Sequence, residues 1–165
     1  LLARSVSDQF ALLGKSLDPA IVLAEANGQT LPVSETTNIW TPLYWKNAQV
    51  IGTGLRMTAA VNGQQNIQCD RDMIAFVNCR LVVGMPVELS IQAYVNGVFT
   101  GVDGGATVTS SGMWTASNAV GYVKLAAGDT LQLRARTKKT ADNGTPAVYA
   151  PSSIFQLGEI RNGLD

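Results

Sequence analysis

The run from Val87 to Val95 alternates without a break. Val87, Leu89, Ile91, Ala93 and Val95 share one face, and Glu88, Ser90, Gln92 and Tyr94 share the other, because successive side chains of a strand point to opposite sides. Val95-Asn96-Gly97-Val98 follows at once, and Asn-Gly takes the positive φ angles that a two-residue type I′ turn needs. A strand that buries one face and immediately turns back commits this part of the chain to antiparallel sheet.

The remainder follows the same grammar. Ala20 to Ala24 is apolar and precedes Asn27-Gly28. Ile39 to Trp45 is aromatic-rich, and Pro42 inside it predicts an edge position or a bulge. Val50 to Val61 predicts a long strand, broken or bulged near Gly52 and Gly54, before Asn62-Gly63. Met73 to Val83 predicts one or two strands, and further strands are expected at Thr107–Ser110, Val120–Leu125, Leu131–Thr137 and Ser153–Ile160. Turns fall at Gly104-Gly105, Gly128-Asp129 and Asp142-Asn143-Gly144. This rhythm predicts an all-β jelly-roll sandwich of about 8–10 strands, occupying residues 19–165 as one domain.

Residues 1–18 have a different period. Ala3, Val6, Phe10, Leu13 and Leu17 recur at alternating spacings of three and four, which is a heptad seam. Asp18-Pro19 ends it, since proline disfavours helical geometry in the residue before it. The stretch predicts a short α-helical coiled-coil stub about 25 Å long; an amphipathic helix folded onto its own domain would give the same pattern. Leu1-Leu2 begins mid-pattern without a Met, which reads as a piece of a longer protein.

Charged residues make up 15% of the chain and apolar ones 46%, against about 25% charged in typical soluble domains. Such a surface is either neutral and polar or buried against other chains, and the apolar excess favours an obligate oligomer. Twelve basic and twelve acidic residues cancel, so the cationic surplus that nucleic-acid binding draws on is missing. No run reaches the roughly 18 apolar residues of a membrane helix, so stable membrane insertion is not expected.

The sequence has no histidine, which rules out a Ser-His-Asp arrangement. It also has no Gly-x-Ser-x-Gly, phosphate-binding loop or dinucleotide fingerprint. Gly101-Val102-Asp103-Gly104-Gly105 reads as a flexible loop. Asp70 and Asp72 are a close acidic pair that could serve glycan hydrolysis or calcium, though a lone Asp-x-Asp falls short of the oxygen-rich loops calcium needs. Glu25, Glu35, Glu88 and Glu159 are scattered. Cys69 and Cys79 read as two small, half-buried apolar residues, with a disulfide between them as the alternative, and the Cys/His clusters of a zinc site are missing. The expectation is a protein that is not an enzyme and carries no catalytic residue, cofactor or metal.

Two binding features stand out. Arg134, Arg136 and Lys138 alternate on one face opposite Leu131, Leu133 and Ala135. They form either a solvated outer face or an anion or carboxylate site at a subunit boundary, with Glu88 or Glu159 across the interface as an internal partner. Trp40, Trp45, Trp114, Tyr44, Tyr94, Tyr122 and Tyr149 are core and interface residues or glycan-stacking platforms.

The C-terminal half resembles the trimeric jelly-roll head of complement-type and tumour-necrosis-factor-like domains. The resemblance lies in Tyr94-Val95-Asn96-Gly97, in the segment Val123-Lys124-Leu125-Ala126-Ala127-Gly128-Asp129-Thr130-Leu131-Gln132-Leu133, and in Ser153-Ile154-Phe155-Gln156-Leu157-Gly158-Glu159-Ile160. These stand in the family's order over residues 87–160. With a heptad stub ahead of Asn/Thr/Gly-rich strands, the whole looks most like the knob of a short-tailed bacteriophage tail needle or fibre. That resemblance implies a homotrimer with Ala3, Val6, Phe10, Leu13 and Leu17 as its seam. It also implies a virion location at the tail tip, tail or portal proteins upstream, contact with the bacterial cell surface through a glycan or other envelope component, and a part in genome retention and ejection. A secreted trimeric receptor-binding or adhesin head is the alternative, and a glycan-hydrolysing tailspike fragment is a third.

Overall fold

A computed structural model describes residues 20–26, 28–32, 39–59, 65–110, 113–139 and 153–160. In chain order the described strands are β1 (Ile21–Ala26), β2 (Thr41–Pro42), β3 (Trp45–Ile51), β4 (Leu55–Met57), β5 (Ile67–Cys69), β6 (Met73–Val83), β7 (Val87–Val95), β8 (Val98–Thr107), β9 (Thr115–Leu125), β10 (Thr130–Lys139) and β11 (Ile154–Ile160). The stub at 1–18, its seam residues and Tyr149 lie outside the described residues.

The strands form two sheets, one ordered β3-β1-β11-β6-β9 and the other β4-β5-β10-β7-β8, with β2 added on β10. From β6 onward the chain passes back and forth between them. β7 and β8 belong to the second sheet, β9 returns to the first beside β6, β10 goes back beside β7, and β11 returns beside β6. Every pairing is antiparallel. This is the jelly-roll winding of two Greek keys.

Alternation explains the core. On β6, Met73, Ala75, Val77, Cys79 and Leu81 point inward, as do Val87, Leu89, Ile91 and Ala93 on β7, and all are buried. Phe155 and Leu157 from β11 meet Leu131 and Leu133 from β10 in one cluster. Each large side chain sealed there stabilises the fold by about 1.5–3 kcal/mol. Both cysteines are inward, buried and unbridged. Burial pushes the Cys79 thiol up to about 12.

The Asn96-Gly97 turn forms as expected, with φ of 50° and 81°. Asn96 also ties two stretches together. Its Nδ2 donates to Asp129 Oδ1 at 2.7 Å, and its Oδ1 accepts from the Thr130 amide at 2.9 Å. The hairpin and the Gly-Asp turn therefore share one hydrogen-bonded corner. Pro42 sits in the two-residue β2 at the margin of its sheet, where its missing N–H costs no ladder bond.

The break expected near Gly52 and Gly54 forms: the two glycines take φ of 76° and 104° and turn the chain between β3 and β4. With eleven described strands the count exceeds about 8–10. Three expectations are corrected. Gly101–Gly105 is not a loop, and Gly104-Gly105 is not a turn; both belong to β8. The glycine is needed because β8 presses on β9 across the open edge of the sandwich: a Cβ on Gly104 would overlap the Asn118 carbonyl. Finally, β8 ends at Thr107, so Thr107–Ser110 is not a separate strand.

Candidate functional site

The inward residues of β10 leave Gln132, Arg134, Arg136 and Lys138 facing outward, and those of β7 leave Glu88, Ser90, Gln92 and Tyr94. Register sets them side by side. Gln132 stands against Tyr94, Arg134 against Gln92, Arg136 against Ser90 and Lys138 against Glu88. On the other flank, β8 places Phe99 beside Tyr94, Asp103 beside Gln92 and Gly105 beside Ser90. Trp40 arrives just ahead of β2, whose Thr41 pairs with Ala135.

The arginines lie on the rings. The Arg134 Cζ is 4.3 Å from the Tyr94 centroid and the Arg136 Cζ is 5.1 Å from that of Trp40. Each contact stabilises the pair by about 0.5–1 kcal/mol, more where water is excluded. Trp40 meets Tyr94 edge-on at 6.4 Å, and Tyr94 meets Phe99 at 6.0 Å. Hydrogen bonds fix the layer: Arg134 Nε donates to Gln132 Oε1 at 2.7 Å, Gln132 Nε2 to Asn66 Oδ1 at 3.0 Å, and the Tyr94 hydroxyl to Gln92 Oε1 at 2.7 Å. Arg136 reaches Glu88 Oε1 at 3.5 Å and Ser90 Oγ at 3.4 Å. Small residues at Ser90 and Gly105 leave a depression of about 290 Å³, walled by Trp40, Gln92, Asp103 and Arg136.

Sequence reasoning singled out the cationic face and the aromatics separately. The structure brings Arg134, Arg136, Trp40 and Tyr94 into one layer, with Lys138 at its exposed end. Glu88 is a partner of Arg136 within the same chain. Glu159 belongs to the other sheet, where it pairs with Arg71 at 2.6 Å and accepts from the Ala20 amide at 3.1 Å. Alternation on β7 already placed Tyr94 with Gln92 and Ser90. Asp103 was missed because its segment read as a loop. Of the other aromatics, Trp45 packs inside on Phe155 at 5.1 Å, and Tyr122 and Trp114 are exposed.

Asp70 and Asp72 serve separate structural contacts. Asp70 Oδ1 takes Arg56 Nε at 3.0 Å, and Asp72 Oδ1 takes the Ala127 amide at 2.9 Å. Among the described residues, no three His, Cys, Asp or Glu side chains gather where they could hold a metal ion.

The outward face of the five-stranded sheet is chemically different. One row across it runs Tyr122, Phe76, Gly158, Ile21, Ile51, and the next runs Val120, Asn78, Gln156, Leu23, Gln49. Neither row contains a charged residue. Tyr122 is 66% exposed and Val120 50%, and the Tyr122 ring meets Phe76 at 5.5 Å. A third row adds Ile154, 47% exposed, between Arg80 and Glu25.

No family model matches the sequence, and no curated protein matches it. Among solved structures, the chain is similar to the crystal structure of murine APRIL at pH 5.0, with a TM-score of 0.58, 12% identity, and coverage of 86% of this chain and 99% of that one. The murine APRIL structure at pH 8.0 matches with a TM-score of 0.56 at 10% identity over the same shares. Both likenesses are of fold. The described part of the chain is an all-β jelly roll that shares its fold with murine APRIL.

Proposed function

We propose that the chain is the head of a homotrimer, with the five-stranded sheet turned toward its copies and the six-stranded sheet turned toward a receptor on a cell surface. The observation that carries this is the pair of uncharged rows in which Tyr122, Val120, Leu23 and Ile51 are exposed large apolar side chains, set among the amides Asn78, Gln156 and Gln49. Large contiguous apolar patches mark interaction sites, and a band at the centre of a sheet flanked by charged positions has the layout of an apolar interface core with a polar rim. The head acts by binding rather than by catalysis.

In its most specific form this reading is the distal knob of a phage tail needle or fibre, held to upstream tail or portal proteins by the heptad stem and meeting the bacterial envelope first. The heptad spacing of Ala3, Val6, Phe10, Leu13 and Leu17 and the charge-poor composition support it. The likeness to murine APRIL equally supports a secreted trimeric receptor-binding head. The gene upstream of Leu1 separates the two: a long heptad array supports the needle, and a signal peptide or collagen repeat supports the secreted ligand. Phe10→Asp or Leu13→Asp should weaken assembly by forcing a charge into the seam. Assembly as tight as the parent's in both variants would show that the stub does not hold the trimer.

A further inference from the structure

We propose that the depression between Trp40, Arg136 and Asp103 is a binding subsite for one uncharged sugar ring. This deepens the surface-binding reading and rests on it only for the source of the sugar, a glycan of the recognised cell surface.

Shape comes first. Ser90 and Gly105 stand opposite one another in the β7–β8 register, and neither side chain fills the space above the sheet. Gly104 cannot supply bulk either, because its Cβ direction is taken by the Asn118 backbone. The result is a hollow of about 290 Å³ with an indole as one wall. That lies at the small end of ligand pockets and suits a single ring rather than an extended chain.

The lining chemistry follows. Sugar recognition needs an apolar wall for the ring's C–H face together with donors and acceptors for its hydroxyls. Trp40 supplies the wall, the Arg136 guanidinium donates, the Asp103 carboxylate accepts, and the Ser90 hydroxyl and Gln92 amide can do both. The Tyr94 hydroxyl holds Gln92 and the Glu88 carboxylate holds Arg136, so these groups are oriented before a ligand arrives.

Charge decides against an anion in the hollow itself. Among the described residues, the charged groups lining it are Arg136 and Asp103, one of each sign, and Glu88 is one partner of Arg136 from the side. A carboxylate ligand would meet two carboxylates around one guanidinium, whereas a hydroxyl pair can bridge Arg136 and Asp103 at no charge cost.

The test is amide and indole NMR of the full chain titrated with methyl glucoside, galactoside, mannoside, rhamnoside and N-acetylglucosaminide, and with glucuronate. At least one neutral glycoside should shift the Trp40 indole N–H and the Gly105 amide, and should do so at lower concentration than glucuronate. Trp40→Ala should weaken that binding by about tenfold or more. Gly105→Val should do the same by filling the hollow. A Cβ at position 105 meets only the Leu89 carbonyl, at 3.5 Å, an ordinary contact, and the far-ultraviolet spectrum of Gly105→Val checks that the fold is kept. The proposal falls if no neutral glycoside shifts these signals, if glucuronate binds more tightly, or if the glycoside still shifts the Gly105 amide of Trp40→Ala and the Trp40 indole of Gly105→Val at the parent's concentration. Sedimentation of the same samples reads the assembly separately, so a monomer that still binds sugar sinks the trimer and leaves the subsite standing.

Discussion

The two outer faces of this sandwich are built from the same alternating strands, yet they carry opposite surfaces. On the five-stranded sheet, two adjacent rows from Tyr122 to Ile51 and from Val120 to Gln49 have no charge. On the six-stranded sheet, the rows Arg134–Gln92–Asp103 and Lys138–Glu88–Thr107 each carry two charges. Its Tyr94 ring, under Arg134, is only 9% exposed, while Phe99 beside it is 43% exposed. One face keeps its polar groups paired in water and the other leaves apolar groups without cover. The two uncharged rows span all five strands of the first sheet, as expected if that sheet meets protein and the other meets solvent and ligand.

The sharpest way to break this contrast is to charge the apolar face. Phe76→Asp should keep the far-ultraviolet spectrum of the parent yet weaken self-association at least a hundredfold, a cost of about 3 kcal/mol, read by sedimentation equilibrium. Unchanged association would mean that the apolar rows are not an interface. The next largest effect belongs to the seam between the sheets. Gly104→Val forces a side chain into the Asn118 backbone where β8 crosses β9. It should lower unfolding stability by about 3 kcal/mol in urea titration, and a neutral result would show that the edge can open freely.

A third effect comes from the shared core and appears only at high pH. In the fold the Cys79 thiol is raised from its ordinary 9.0 to about 12 by burial, while in the unfolded chain it ionises at the ordinary value. Its contribution to stability is complete below pH about 9 and is lost as the pH climbs toward about 12. Urea midpoints should fall through that window, and Cys79→Ala should flatten the fall; an equal slope in both proteins would assign it to other groups. The smallest effect is on the polar face. Arg134→Ala removes the guanidinium from Tyr94 and should cost about 1 kcal/mol in thermal unfolding, with the assembly state unchanged. A change in assembly would place the six-stranded sheet inside the interface.

Local patterns carried much of this architecture. The alternation of Val87–Val95 and the Asn96-Gly97 turn are decided within a few residues, and both stand as read. The outward set Arg134, Arg136 and Lys138 was legible for the same reason. What could not be read depends on which strands become neighbours. Gly104 looks like a loop residue until β9 is laid beside it, so Asp103 was not recognised as part of a sheet face. Trp40 gave no local sign that it would lie under Arg136, since the two meet only through the β2–β10 pairing. The uncharged rows combine positions from five strands far apart in sequence, and no single strand displays them.

The claim that the chain assembles through its five-stranded sheet is tested most directly by cross-relaxation or chemical cross-linking between differently labelled copies, with Tyr122 and Phe76 as reporters. The account predicts intermolecular signals at both rings in a particle of three protomers. A particle of one protomer, or a trimer in which both rings report only solvent, would contradict it.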